Sequence, residues 1–286
     1  MARPDFLGIG ALKAGTTLLH SLLDQHPDVC LSRHVKEVKY FDVNYSRGES
    51  WYESMFHGCG SAVKGEVSPG YIYNEPCAER IAAYVPDVRL ILLARDPVER
   101  AFSQYKHWVK ETGYRGTFEG FAAEHPNCVD RGFYHRQLAR YLDRFPRDQI
   151  DVVLFEDLIS DPQSAMEGVF GFIGVDPSVQ ITAEGPVNAS EIPRHHRLYT
   201  VARKGAMWAY SNDHPWLVSW AKRLGASRPL VSADREASFE PMRAETRARL
   251  AAGYEDDVAA LGALIGRDLS AVWRSAAAAG APASGG

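Results

Sequence analysis

Three glycines, a lysine and two threonines fall together in Gly8-Ile9-Gly10-Ala11-Leu12-Lys13-Ala14-Gly15-Thr16-Thr17. Glycine lets a backbone turn tightly beside a ligand, and the first N–H groups of a helix have no partner within the helix. Together they gather donors on an anion, with Lys13 supplying charge, Ala14 and Gly15 the backbone, and Thr16 and Thr17 the hydroxyls. The glycines can also serve only to turn the chain, but Lys13 and the threonine pair then have no role. A triphosphate loop carries its lysine directly after the last glycine. Thr16 holds that position here, and Lys13 lies two residues before Gly15, which suits one phosphate joined to a leaving group.

A second candidate for anion binding is Arg95-Asp96-Pro97-Val98-Glu99-Arg100-Ala101-Phe102-Ser103-Gln104-Tyr105. Arginine offers a planar fork of donors and Ser103, two helical turns on, offers a hydroxyl. Taken alone, the segment reads first as a structural Arg-Asp turn with an exposed serine.

These residues need elements to hold them. Residues 6–9 read as a buried strand, and residues 16–25 as a helix with Leu18, Leu19, Leu22 and Leu23 at helical spacing. Residues 77–84 form a second helix before the apolar strand 89–94, and Asp96-Pro97 opens a third helix. Helix 134–145 and strand 150–155 repeat the order, and 243–264 gives a final amphipathic helix. Alternation of this kind predicts an α/β fold with a central parallel sheet flanked by helices, whose ligands bind beyond the carboxyl ends of the strands. A single domain over 1–274 is expected, with a helical or loop insertion at 182–240 and a disordered tail at 275–286. The insertion carries Met207, Trp208, Tyr210, Trp216 and Trp220, which read first as packing and second as a substrate wall. Arg194-His195-His196-Arg197 within it reads as a basic turn or as a grip for an anionic acceptor.

The composition of the 286 residues is that of a globular protein, and a formal charge of −4 argues against a surface built for nucleic acid. No span fits a membrane or an export signal, so the cytoplasm is the expected location. Cys30, Cys59, Cys77 and Cys128 have no paired spacing and are expected as free thiols. His20, His26, His34 and His107 lack ligand spacing, so packing or surface roles and no metal site are expected. No pattern in the chain reads out an oligomeric state.

The two anion segments resemble the signature of the sulfotransferases that use 3′-phosphoadenosine 5′-phosphosulfate (PAPS). The resemblance continues through Lys36-Glu37-Val38-Lys39-Tyr40-Phe41-Asp42, Glu66-Val67-Ser68-Pro69, Gly132-Phe133-Tyr134, Phe145-Pro146-Arg147 and Phe155-Glu156-Asp157-Leu158. In that order they are similar to the branch holding heparan sulfate N- and 3-O-sulfotransferases and their bacterial relatives, over residues 6–177. The resemblance implies a P-loop-like nucleotide-binding fold, PAPS as donor and 3′-phosphoadenosine 5′-phosphate (PAP) as product. It implies that Lys13, Gly15, Thr16 and Thr17 hold the 5′-phosphosulfate, that Arg95 and Ser103 hold the 3′-phosphate, and that Glu37 is the catalytic carboxylate.

Glu37 walled by Tyr40 and Phe41 suits a general base toward a hydroxyl, whereas apart from the resemblance it reads as an ion pair with Lys36 or Lys39. Val67 stands where relatives carry a lysine, so Lys36, Lys39 or another base is expected to compensate. The acceptor is expected to be a small metabolite, glycoside or carbohydrate. The competing enzyme class is a P-loop kinase or nucleotide hydrolase, with a non-catalytic nucleotide-binding module as the third reading.

Overall fold

The computed structural model describes residues 3–32, 35–182, 205 and 239–273. The expected insertion, apart from its ends and Gly205, lies outside the described residues, as do His34 and the tail. Five parallel strands make one sheet in the order β2-β3-β1-β4-β5. They are β1 (Phe6–Gly10), β2 (Val29–Leu31), β3 (Val63–Val67), β4 (Arg89–Ala94) and β5 (Ile150–Leu154). The helices described up to residue 182 are α1 (Thr16–Leu23), α2 (Glu49–Ser54), α3 (Pro76–Tyr84), α4 (Pro97–Thr112), α5 (Phe118–Glu124), α6 (Asn127–Asp130), α7 (Tyr134–Leu142), α8 (Phe155–Ser160) and α9 (Pro162–Ile173). The last described helix is α10 (Ala244–Ile265).

β1 and β4 are the centre of the core because both faces are covered: every residue of β1 is buried, and in β4 all but Arg89. β3 lies on the other side of β1, with Gly8 opposite Val67 in register. The chain therefore leaves β1 toward one half of the sheet and returns to build the other half from β4. That reversal opens a crevice at the carboxyl ends, where such sheets bind ligands.

Several local rules fix the elements that border the crevice. Asp96 caps α4 by accepting from Val98 and Glu99 N–H at 2.8 and 3.1 Å, and Pro97 occupies the first turn. Asp257 of α10 accepts from His135 and Arg136 N–H at 3.0 and 2.8 Å, so one helix supplies the acid at the amino end of another. A second apolar cluster, including Tyr105, Phe118, Phe121 and Tyr254, packs α4 against α5 and α10.

The cysteines depart from expectation. Cys30 of β2 and Cys59, after α2, form a disulfide, whereas Cys77 and Cys128 are buried free thiols. A separation of 29 residues carries no local pairing signal; the partners meet because the chain from β2 through α2 returns to β3, the neighbour of β2. His26 has the packing role expected: Nδ1 accepts from Asp28 N–H at 3.0 Å, and its ring sits edge-on to Phe170.

Candidate functional site

The loop between β1 and α1 is bent by two residues in the left-handed region, Lys13 at φ 70° and Gly15 at φ 95°. A side chain at Gly15 is doubly excluded, since its Cβ would stand 2.5 Å from the Phe155 ring. Gly15 begins α1 without a side-chain cap, so the first-turn N–H groups at Thr16 and Thr17 have no capping oxygen from it. Ala14 is buried beneath the loop, Thr16 is nearly so, and Thr17 is exposed.

Arg95 leaves the end of β4 beside this loop. Its Nη1 donates to the Lys13 carbonyl at 3.4 Å, and its guanidinium lies 4.6 Å over the Phe155 ring. Tyr134 Oη donates to the Arg95 carbonyl at 2.9 Å and fixes the strand exit. The two segments singled out by residue type thus meet at one end of the sheet. Ser103 lies on α4 eight residues after Arg95, on the same helical face as Lys106. Burial and the nearby Arg95 push the Lys106 ammonium below its usual range.

Charge is concentrated here. Burial, then Lys110, Arg95 and Lys36, push Lys13 down from 10.5 to about 8, opposed by Glu37. Lys36 Nζ donates to Thr17 Oγ1 at 2.6 Å and so joins the loop to the segment that carries Glu37. The Glu37 carboxylate lies 3.0 Å from Lys39 Nζ and 3.9 Å from Lys36 Nζ. Its expected aromatic walls are elsewhere: Tyr40 stacks on Tyr52 at 4.4 Å and Phe41 packs against Tyr71, both within the core. Lysines rather than rings surround Glu37, because Lys39 adopts φ 54° and the chain turns inward after it. Val67 is wholly buried against Gly8.

Residue types alone did not single out Lys106 and Lys110 on α4, although their spacing from Ser103, three and seven residues, was there to be read. They also did not single out Glu66, which is 1 % exposed at the end of β3. Burial pushes its carboxyl above the usual range, while bonds from Ser68, Tyr71, Tyr52 and Val38 N–H hold it down.

Residues 3–189 match the family model described as "Sulfotransferase domain". Human bifunctional heparan sulfate N-deacetylase/N-sulfotransferase 3 is 31% identical over 197 residues, covering 61% of this chain and 22% of the relative. Human heparan sulfate glucosamine 3-O-sulfotransferase 6 is 32% identical over 181 residues, covering 60% of this chain and 52% of the relative. The chain therefore spans about half or less of the length of these relatives. A crystal structure of a sulfotransferase from Alicyclobacillus acidocaldarius superposes with a TM-score of 0.71 at 27% identity, covering 96% of this chain and 100% of that one. A mouse sulfotransferase complexed with PAP shares the fold, with a TM-score of 0.52 at 12% identity over 90% of this chain and 85% of that one. A model that begins before the first strand and runs past the fifth covers well over half of the sequence, and the chain belongs to the sulfotransferase domain family.

Proposed function

We propose that this chain is a sulfotransferase that moves a sulfuryl group from PAPS to a hydroxyl or similar nucleophile of a small metabolite, glycoside or carbohydrate. The observation that carries this reading is the cation cluster at the crevice, where Lys13 is bonded through its carbonyl to Arg95 and where burial, with Lys110, Arg95 and Lys36, pushes its ammonium down to about 8. Charges of one sign gathered in a partly buried place fit an anionic ligand with several charges. The left-handed loop and the uncapped start of α1 add backbone donors suited to a phosphate.

When bound, PAPS supplies an activated sulfuryl group and a bisphosphorylated adenosine leaving group. Lys13, with Ala14, Gly15, Thr16 and Thr17, would hold the 5′-phosphosulfate, and Arg95 with Ser103 the 3′-phosphate. Lys13 stabilises the negative charge that grows on the leaving oxygen. Glu37, steadied by Lys39 and Lys36, takes the proton from the acceptor nucleophile. Protein cations carry the charge in this scheme, so it calls on no metal. The carbohydrate acceptors named for the heparan sulfate relatives support a hydroxyl-bearing acceptor here.

Thermal-shift titration tests the donor. PAP without magnesium should raise the unfolding temperature, by an amount equivalent to about 2.7 kcal/mol at a hundredfold excess over Kd, and magnesium–ATP should not. The reverse result would favour a kinase or nucleotide hydrolase. Mass spectrometry of glycosides incubated with enzyme and PAPS should then show the gain of one SO3.

A further inference from the structure

Glu37 sits on a stretch of chain, residues 36–39, that belongs to neither helix nor strand. Its backbone groups have no ladder to satisfy them, yet Val38 is wholly buried and Lys39 half-buried. The donors go instead to one cluster of side chains. Val38 N–H donates to Glu66 Oε2 at 3.2 Å. Lys39 N–H donates to Ser68 Oγ at 3.0 Å, and Ser68 in turn donates to Glu66 Oε2 at 2.5 Å. Phe41 N–H donates to Tyr71 Oη at 3.4 Å, and Tyr71 donates to Glu66 Oε1 at 2.6 Å. Tyr52 Oη completes the set at 3.0 Å from Oε1.

The direction of each bond follows from proton counting. A hydroxyl has one proton, and Ser68 and Tyr71 can accept from a backbone N–H only along a lone pair while that proton points at Glu66. A carboxylate that accepts from four donors and offers none aligns all of them. Glutamine would turn one oxygen into an NH2 donor, so at least one neighbour must rotate or break away. Asn44 Nδ2 donates to the Val38 carbonyl at 2.8 Å, on the other side of the Val38–Lys39 peptide whose N–H bonds to Ser68.

We propose that Glu66 is a positioning residue: directly at Val38, and through Ser68 and Tyr71 at Lys39 and Phe41, it fixes the backbone that carries Glu37. This rests on the reading of Glu37 as the base. The carboxylate at the end of β3 thereby couples the central sheet to the acceptor side of the crevice. The cluster bonds to the backbone of residues 38–41, whereas the loop between β1 and α1 meets this segment through the Lys36 bond to Thr17, so the cluster acts on turnover before donor binding.

Three variants separate positioning from mere stability. Ser68→Ala removes the acceptor of Lys39 N–H, Glu66→Gln turns one acceptor of the cluster into a donor, and Tyr52→Phe removes one bond to Glu66 while keeping the ring that packs on Tyr40 and Phe41. PAP release from PAPS, with water as the probe acceptor, should fall about tenfold to a hundredfold in kcat for Ser68→Ala and Glu66→Gln. KM for PAPS should stay unchanged, and Tyr52→Phe should match the unaltered enzyme. Amide hydrogen exchange at residues 38–41 should quicken in the first two variants only. Equal losses in all three, or unaltered kcat and exchange in Ser68→Ala and Glu66→Gln, would overturn the proposal. Calorimetric PAP binding to the unaltered protein judges the donor reading separately; if it fails, exchange at 38–41 still decides the role of Glu66.

Discussion

Lys13 gives up its proton more readily than an exposed lysine because burial and three neighbouring cations all disfavour the ammonium. In the donor-free protein its value is about 8, against 10.5 for an ordinary lysine. The sign of the linkage follows. Between these values the unfolded chain holds the proton and the folded chain does not, so this group's contribution to stability rises with pH through that window. An anionic donor acts oppositely, because it favours the ammonium and draws a proton in. PAP affinity should therefore weaken as pH rises above about 8, by up to about tenfold per pH unit. Calorimetry near pH 8.5 in buffers of different ionisation enthalpy should show proton uptake on binding. Affinity that is flat from pH 7 to pH 10 would mean that Lys13 does not meet the bound anion. At this same scale the two segments that meet at the end of the sheet, the loop holding Lys13 and the strand exit at Arg95, were legible from type and spacing. The ion pairs of Glu37 with Lys36 and Lys39 were legible as well, but its expected aromatic walls were not, because a left-handed Lys39 sends Tyr40 and Phe41 inward.

Among the elements, the junction of β1 and α1 is the most tightly specified. Gly15 joins a positive φ to a Cβ position already occupied by the Phe155 ring of α8. Gly15→Ala should cost about 1–2 kcal/mol in the left-handed backbone alone, with further loss from the ring contact. Urea unfolding reads the stability, and PAP titration should show affinity reduced by at least about tenfold as the loop shifts. A variant with normal stability and PAP affinity would show that the loop geometry is not needed for either. β4 and β5 were readable as apolar runs, but β3 was not. Val63-Lys64-Gly65-Glu66-Val67 mixes charge and glycine, although it lies between β2 and β1 in the sheet. Gly65 is required because the Phe6 ring fills the space of its Cβ, at 2.3 Å. Glu66 is tolerated because four donors converge on it. Both reasons lie in neighbours distant in sequence, which local periodicity does not register.

For the molecule as a whole, alternation of helix and strand was enough to read the parallel α/β architecture. Strand order and the β2 edge needed the third dimension, and so did the Cys30–Cys59 link. That link closes the stretch of chain carrying Lys36, Glu37 and Lys39 onto the sheet. Replacing both cysteines by serine should lower the unfolding free energy by about 2–4 kcal/mol, measured by denaturant titration without reductant. An unchanged midpoint would indicate that the unfolded chain is not constrained by the link. Among the described residues no helix is long and apolar enough to cross a membrane. Titrating the denatured protein with a thiol reagent gauges the state of that link: a fully oxidised sample should yield the two sulfhydryls of Cys77 and Cys128 before reduction and all four afterwards. A batch made in a reducing host that scores higher at the outset contains chains whose segment bearing Glu37 has never been tied down.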